Sequence, residues 1–177
     1  MSDDKTMNNI NDSLRLRAQD ADDLTVLSSL FQDAIIPGSD MHIDKANKRF
    51  VLVANRFCWE RPPLDGVTLE DGGTVYERVL CGMQIFNVEY VQQSRMPANR
   101  SDSLLSLLAL QVEPFQATVE KQSVDLVKWT INLLFSGNAT IKLSVKAIDV
   151  IVEDIDLARP TAVHPWHDPV YGMDIEE

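Results

Sequence analysis

Hydrophobic and polar positions first fall into step at Leu14, Leu16 and Ala18, which alternate with Arg15 and Arg17. A period of two is the signature of a short, half-buried strand. Residues 1–12 before it are polar, rich in Asp and Asn, and have no periodic apolar face, which predicts a mobile leader. After Asp20 the period lengthens: Leu24, Leu27, Leu30, Phe31 and Ala34 recur at spacings of three and four, while Thr25, Ser28, Ser29, Gln32 and Asp33 fall on the other side. That stripe predicts an amphipathic helix, capped by Asp20, with Asp22 and Asp23 in the first turn where the helix dipole favours negative charge. Pro37 and Gly38 end it.

Strand patterns follow. Met41 and Ile43 lead into a polar turn over 44–48, and Arg49 to Phe57 is rich in β-branched and aromatic residues, which together predict a hairpin. Pro62, Pro63, Gly66, Gly72 and Gly73 mark a long surface loop over 60–73. The stretch 74–94 is strand-like but too long for one ordinary strand. Its apolar phase changes from Val79, Cys81, Met83 and Ile85 to Phe86, Val88 and Tyr90, so a bulge or bend is expected, with Gly82 as its seat. Leu104 to Val112 is apolar at nearly every position and reads as a strand covered on both faces. Val127, Trp129, Ile131, Leu133 and Phe135 alternate with more polar positions, turn through Ser136-Gly137-Asn138 and return as Ile141, Leu143 and Val145, the clearest hairpin in the chain. A second phase slip, to Ile148, Val150 and Val152, predicts another bulge near Lys146 and Ala147. From Ala158 onward Pro160, Pro165, Pro169 and Gly172 predict an extended tail.

The elements sum to an α+β chain with one domain over 13–157: a mainly antiparallel, bent sheet or partly open barrel or roll, of the pleckstrin-homology-like kind, shielded by one N-terminal helix. Composition narrows the setting. The 45% hydrophobic and 24% charged fractions over 177 residues are those of folded globular chains. The longest apolar run, Leu104 to Leu110, is far short of the roughly 20 residues that cross a bilayer, and no secretory signal is visible, so a cytoplasmic protein without a membrane partner is expected. With 16 Lys and Arg against 27 Asp and Glu, the formal charge of -11 repels phosphate backbones and argues against nucleic acid. Cys58 and Cys81 lie in strand-like segments with no CxxC spacing, which predicts buried free thiols.

Three groups carry candidate chemistry. In His164-Pro165-Trp166-His167-Asp168, two histidines and a carboxylate resemble a transition-metal set, but the prolines preclude the helix that would align them, so no metal is expected and the tail should pack back on the domain. Asn55, Arg56, Trp59 and Glu60 end a strand beside the long loop, where sites concentrate. The structural alternative there is that Phe57 and Trp59 cap the core while Arg56 pairs with an acid such as Glu77. Asp40, His42 and Asp44 alternate along one strand face, a pattern compatible with acid–base chemistry. Dinucleotide, P-loop, zinc-protease, nucleophile-elbow and EF-hand motifs are absent. Binding residues are therefore expected at His42, Arg56 and Trp59, with no cofactor and no convergent catalytic set. The expectation is a non-enzymatic binding or interaction module with a protein or small-molecule partner, homodimerisation left open; the alternative is an unmarked enzyme or a small-metabolite-binding barrel.

The helix Leu24 to Ala34 with its Gln-Asp-Ala end, Asn55-Arg56-Phe57, the Leu-rich segment 104–109 and the hairpin through Ile141-Lys142-Leu143 resemble, in that order, a bacterial family known only as a domain of unknown function. The resemblance covers about Leu14 to Pro165 and implies no catalytic residue.

Overall fold

In the computed structural model, residues 13–116 and 127–165 are described. β1 (Arg15–Ala18) leads into α1 (Ala21–Leu30), where the Asp20 carboxylate accepts a 2.9 Å hydrogen bond from the Asp23 amide. Leu24, Leu27 and Phe31 are buried as the stripe requires. The helix is shorter than its apolar stripe. Asp33 takes a left-handed backbone conformation (φ 58°) and turns the chain, and Ala34 enters a strand that the periodicity had assigned to the helix, β2 (Ala34–Pro37). β2 pairs antiparallel with β7 (Leu104–Pro114) and through Ile35 with β4 (Arg49–Phe57). The run Ala-Ile-Ile-Pro fits both periods, and pairing with β7 decides between them. Gly38 follows because a Cβ there would sit 1.9 Å from the Arg100 carbonyl oxygen.

β3 (Met41–Asp44) and β4 form the expected hairpin, and β4 pairs along its length with β5 (Tyr76–Ile85). Gly82 is not the break. It lies in regular register with Val53 on one side and Glu153 on the other; the chain bends instead at Phe86-Asn87, where Asn87 has φ 60°, before β6 (Val88–Ser94). β8 (Trp129–Phe135) and β9 (Thr140–Val145) form the second hairpin. After β9 the chain bends over 146–149 into β10 (Val150–Asp154), next to the first bend: the Phe86 amide donates to the Asp149 carbonyl at 2.9 Å and the Lys146 amide to the Asn87 carbonyl at 3.2 Å. Both phase slips are thus places where one antiparallel ribbon, β5 with β10, continues as another, β6 with β9. β7 holds a register shift between Leu107 and Ala109 and is covered on one face only, with Leu104 72% exposed.

Hydrogen-bonded neighbours run β1-β10-β5-β4-β2-β7-β8-β9-β6, with β3 joined to β4 and β11 (Arg159–Thr161) to β5. The path does not return on itself, so the sheet is open. It is also curved. α1 contacts β1 at one end of the path and β7 five strands along it. Flat, those strands would lie about 24 Å apart, beyond the reach of a single helix about 10–12 Å across. The core between helix and sheet includes Phe31, Phe50, Leu52, Met83, Leu107 and Phe135. Part of the expected tail is ordered as β11, whose Pro160 is tolerated on a short edge strand. Among the described residues no helix is long and apolar enough to cross a membrane. The leader 1–12 lies outside the described residues.

Candidate functional site

β4 buries alternate residues from Phe50 onward, and the inward position that follows Ala54 is filled by an arginine. Arg56 is 0% exposed. An uncompensated guanidinium there would be prohibitive, and two carboxylates meet it. Nε and Nη2 donate to Asp154 Oδ1 and Oδ2 at 3.0 and 2.8 Å, and Nη1 and Nη2 donate to Glu60 Oε2 and Oε1 at 3.0 and 2.9 Å. Asp154 also accepts the Leu14 amide at 3.0 Å. Burial pulls the Arg56 pKa down, and the hydrogen bonds and charges of Asp154 and Glu60 more than reverse it, leaving the group raised and permanently cationic. The partners are these two acids and not Glu77, which pairs with Arg61 at 3.1 Å. With both guanidinium edges occupied, Arg56 ties β4, β10 and the following loop together.

Trp59 donates its Nε1–H to the Gln32 carbonyl at 3.0 Å and packs on Phe57 with ring centroids 4.6 Å apart. His164 completes an aromatic group, 4.6 Å from Tyr76, 5.2 Å from Phe57 and 5.8 Å from Trp59. The chain after β11 thus packs on this group through His164, while Trp166 lies outside the described residues. His167 and Asp168 lie outside the described residues, and among the described residues no group of three His, Cys, Asp or Glu is placed to hold a metal ion. Cys58 and Cys81 are buried and free, and burial pushes their thiols up to about 11 and about 12. Thiolate, the nucleophilic form, is scarce at neutral pH.

His42 is elsewhere. It stands exposed on β3 opposite Val51, five residues along β4 from Arg56, or roughly 16 Å at the usual strand rise. Of its expected companions, Asp44 shares β3 with it, two residues on, and Asp40 does not. Asp40 sits in the turn before β3, and Asp44 anchors the β3–β4 turn, accepting from the Asn47 amide and side chain and from Arg49 Nε at 2.8 Å. Asn47 first, then Arg49, hold the Asp44 carboxyl down at about 2.

Beside β3 the open sheet leaves a feature that alternation in sequence does not reveal. Among the described residues β3 pairs with β4 and β6 with β9, and both strands border a concavity of about 640 Å³ lined by Ile43, Lys45, Lys48, Arg49, Glu89 and Val91 among others. Each end is tied. The Val88 amide donates to the Lys48 carbonyl at 2.8 Å, and the Arg100 guanidinium donates to the Met41 carbonyl at 3.1 Å and to Gln93 Oε1 at 3.4 Å. The lysines of the β3–β4 turn are the only trace of it in the sequence, since charged side chains commonly guard free edges. A second hollow, about 480 Å³, opens near Arg56 and is walled by Val79, Ile155 and Leu157 with the Arg61–Glu77 pair and Asp154.

Comparison with curated proteins finds no match, and comparison with solved structures finds none either. One family model does match, over residues 14–167, and it spans α1 and the eleven strands among the described residues: the chain belongs to the family described as "Protein of unknown function (DUF2948)".

Proposed function

We propose that this chain is a non-enzymatic interaction module that receives an extended segment of a protein partner in the gap between β3 and β6. The observation that carries this reading is the open sheet: two strands, each joined to the sheet on one side among the described residues, border one concavity. Unpaired edges are ready templates for strand addition, in which main-chain hydrogen bonds give affinity and side-chain pockets give specificity. The architecture is then a bent roll of the pleckstrin-homology-like kind with its seam left for a partner, in a cytoplasmic setting. Against catalysis, the buried ionisable groups near Arg56 are matched to one another, and the thiols are held neutral.

Affinity capture with the full chain, followed by hydrogen exchange on the purified complex, tests the proposal. Protection confined to β3 and β6 is expected. A footprint elsewhere on the surface, or turnover of a small molecule with no stable partner, would overturn it. The second reading, a metabolite-binding domain, is favoured by the 480 Å³ hollow, whose apolar wall and convergent Arg61, Glu77 and Asp154 have the make-up of a small-ligand site. A thermal-shift screen against metabolites separates the two. A hit abolished by Leu157→Arg, but not by substitutions at Lys45 or Lys48, assigns function to the hollow.

A further inference from the structure

β11 lies on β5 in a register that sets Arg159 directly opposite Arg78. Like charges facing each other across an antiparallel pair are destabilising, and neither is needed to build a three-residue edge strand. Arg78 is the less ordinary of the two. It is half-buried, its Nη1 donates to the Asn55 carbonyl at 3.0 Å, its Nη2 reaches the Asp33 carbonyl at 3.5 Å, and its Cζ lies 5.8 Å over the Phe57 ring. Among the described residues it gives no hydrogen bond to any carboxylate. Burial lowers its pKa, the mark of a cation short of compensation.

Two atoms beside it are unsatisfied. Arg78 Nε and Asn55 Oδ1 are both shielded from solvent without a hydrogen-bond partner in the protein. Buried polar atoms are overwhelmingly paired, so a donor and an acceptor left over together call for a ligand that offers one of each. Arg78, Asn55 and Arg159 line one hollow of about 160 Å³, together with Thr161 and Asp156. Asp156 is the carboxylate of that wall, and it is already held by the Leu157 amide at 2.8 Å and Arg159 Nη2 at 3.1 Å. Asp33 acts on Arg78 by charge.

We propose that this hollow is a binding site for a single phosphate group, with Arg78 and Arg159 contacting its oxygens and Asn55 Oδ1 accepting its remaining O–H. Guanidinium groups suit tetrahedral oxyanions because their fixed N–H fork gives two parallel charge-assisted hydrogen bonds. The chemistry also sets a preference. Hydrogen phosphate carries a proton to give to Asn55, and sulfate near neutral pH does not. The hollow admits one oxyanion group, and a phosphomonoester, largely dianionic near neutral pH, lacks the proton that Asn55 would accept, so the group is free hydrogen phosphate.

Calorimetric titration and thermal shift of the full chain test this with inorganic phosphate, glycerol phosphate and sulfate, each against chloride at matched ionic strength. Phosphate should bind and raise the Tm, and glycerol phosphate, which has lost its phosphate O–H near neutral pH, should bind as weakly as sulfate. Sulfate should be weaker by about tenfold or more, the value of a hydrogen bond to a charged group. Arg159→Ala, which removes an exposed side chain, should weaken phosphate by a similar factor without loss of fold. Asn55→Asp supplies Arg78 with a fixed carboxylate, so it should abolish phosphate binding while the ligand-free Tm rises or holds. No phosphate-specific shift in the parent chain would overturn the site, as would a shift left unchanged in both variants, which would mark an adventitious ion only. Sulfate binding as tightly as phosphate would overturn the part assigned to Asn55.

Discussion

The end of the sheet near Arg56 and the gap between β3 and β6 are both rich in charge, and they use it in opposite ways. Near Arg56 the ions are turned inward: a fully buried guanidinium meets Asp154, whose side chain is 1% exposed, and Glu60, and together they lock three elements. At the gap the ion pairs are superficial, Lys48 and Lys146 on Glu89 and Arg49 on Asp44, with the lysine side chains 54% and 34% exposed, while among the described residues β3 and β6 each join the sheet on one side. Charge at depth fixes geometry because removing one partner strands the others; charge at the surface contributes little to stability and is free to choose partners.

The largest test of that contrast is Arg56→Ala. It leaves the buried Asp154 carboxylate without its cation and should cost about 3–5 kcal/mol in urea unfolding, whereas a double substitution to apolar residues, Arg56→Met with Asp154→Leu, should recover much of the loss. A cost no greater than that of a surface pair would break the comparison. Trp59→Phe keeps the aromatic packing and removes the bond to the Gln32 carbonyl, and about 1 kcal/mol is expected by the same measurement.

At the gap, Lys48→Ala should alter stability by no more than about 1 kcal/mol, since its partner pair is exposed. If the gap receives a partner, the same variant should still lose affinity in capture experiments; unchanged capture with unchanged stability would remove Lys48 from any role. Acid titration gives the smallest effect. The Asp44 carboxyl is depressed to about 2 from an ordinary 3.8, so its stabilising contribution is present above about pH 4 and disappears as the pH falls through 2. Asp44→Asn should therefore lower the Tm near neutrality, with the difference from the parent closing as the pH falls through that window.

Much of the fold was written in the periodicity. The Asp20 cap, both hairpins, the long loop and the two phase slips follow from local spacing, because a strand half-covered by a core must alternate and a helix against a sheet must carry a stripe. The buried thiols were equally legible from their apolar surroundings. Where the local signal was ambiguous, long-range pairing decided. Ala34-Ile35-Ile36-Pro37 satisfied both the helical and the extended period until β7 took it as a neighbour. Gly82 offered the most permissive backbone in its run, yet the bend came at Asn87, where two ribbons meet.

The candidate site divides along the same line. Residue type drew attention to Arg56 and Trp59, but the acid expected beside Arg56 was Glu77, which pairs with Arg61, while Glu60, four residues on, meets Arg56. That Asp154, 98 residues away, holds the other edge of the guanidinium was decided by the register of β10 on β5. The same is true of Arg78 facing Arg159, and of the separation of His42 from Arg56. Alternation tells a residue which face of a sheet it occupies, but not which strand lies beside it; strand order is set by closing loops of tens of residues around a shared core, and no local pattern encodes that.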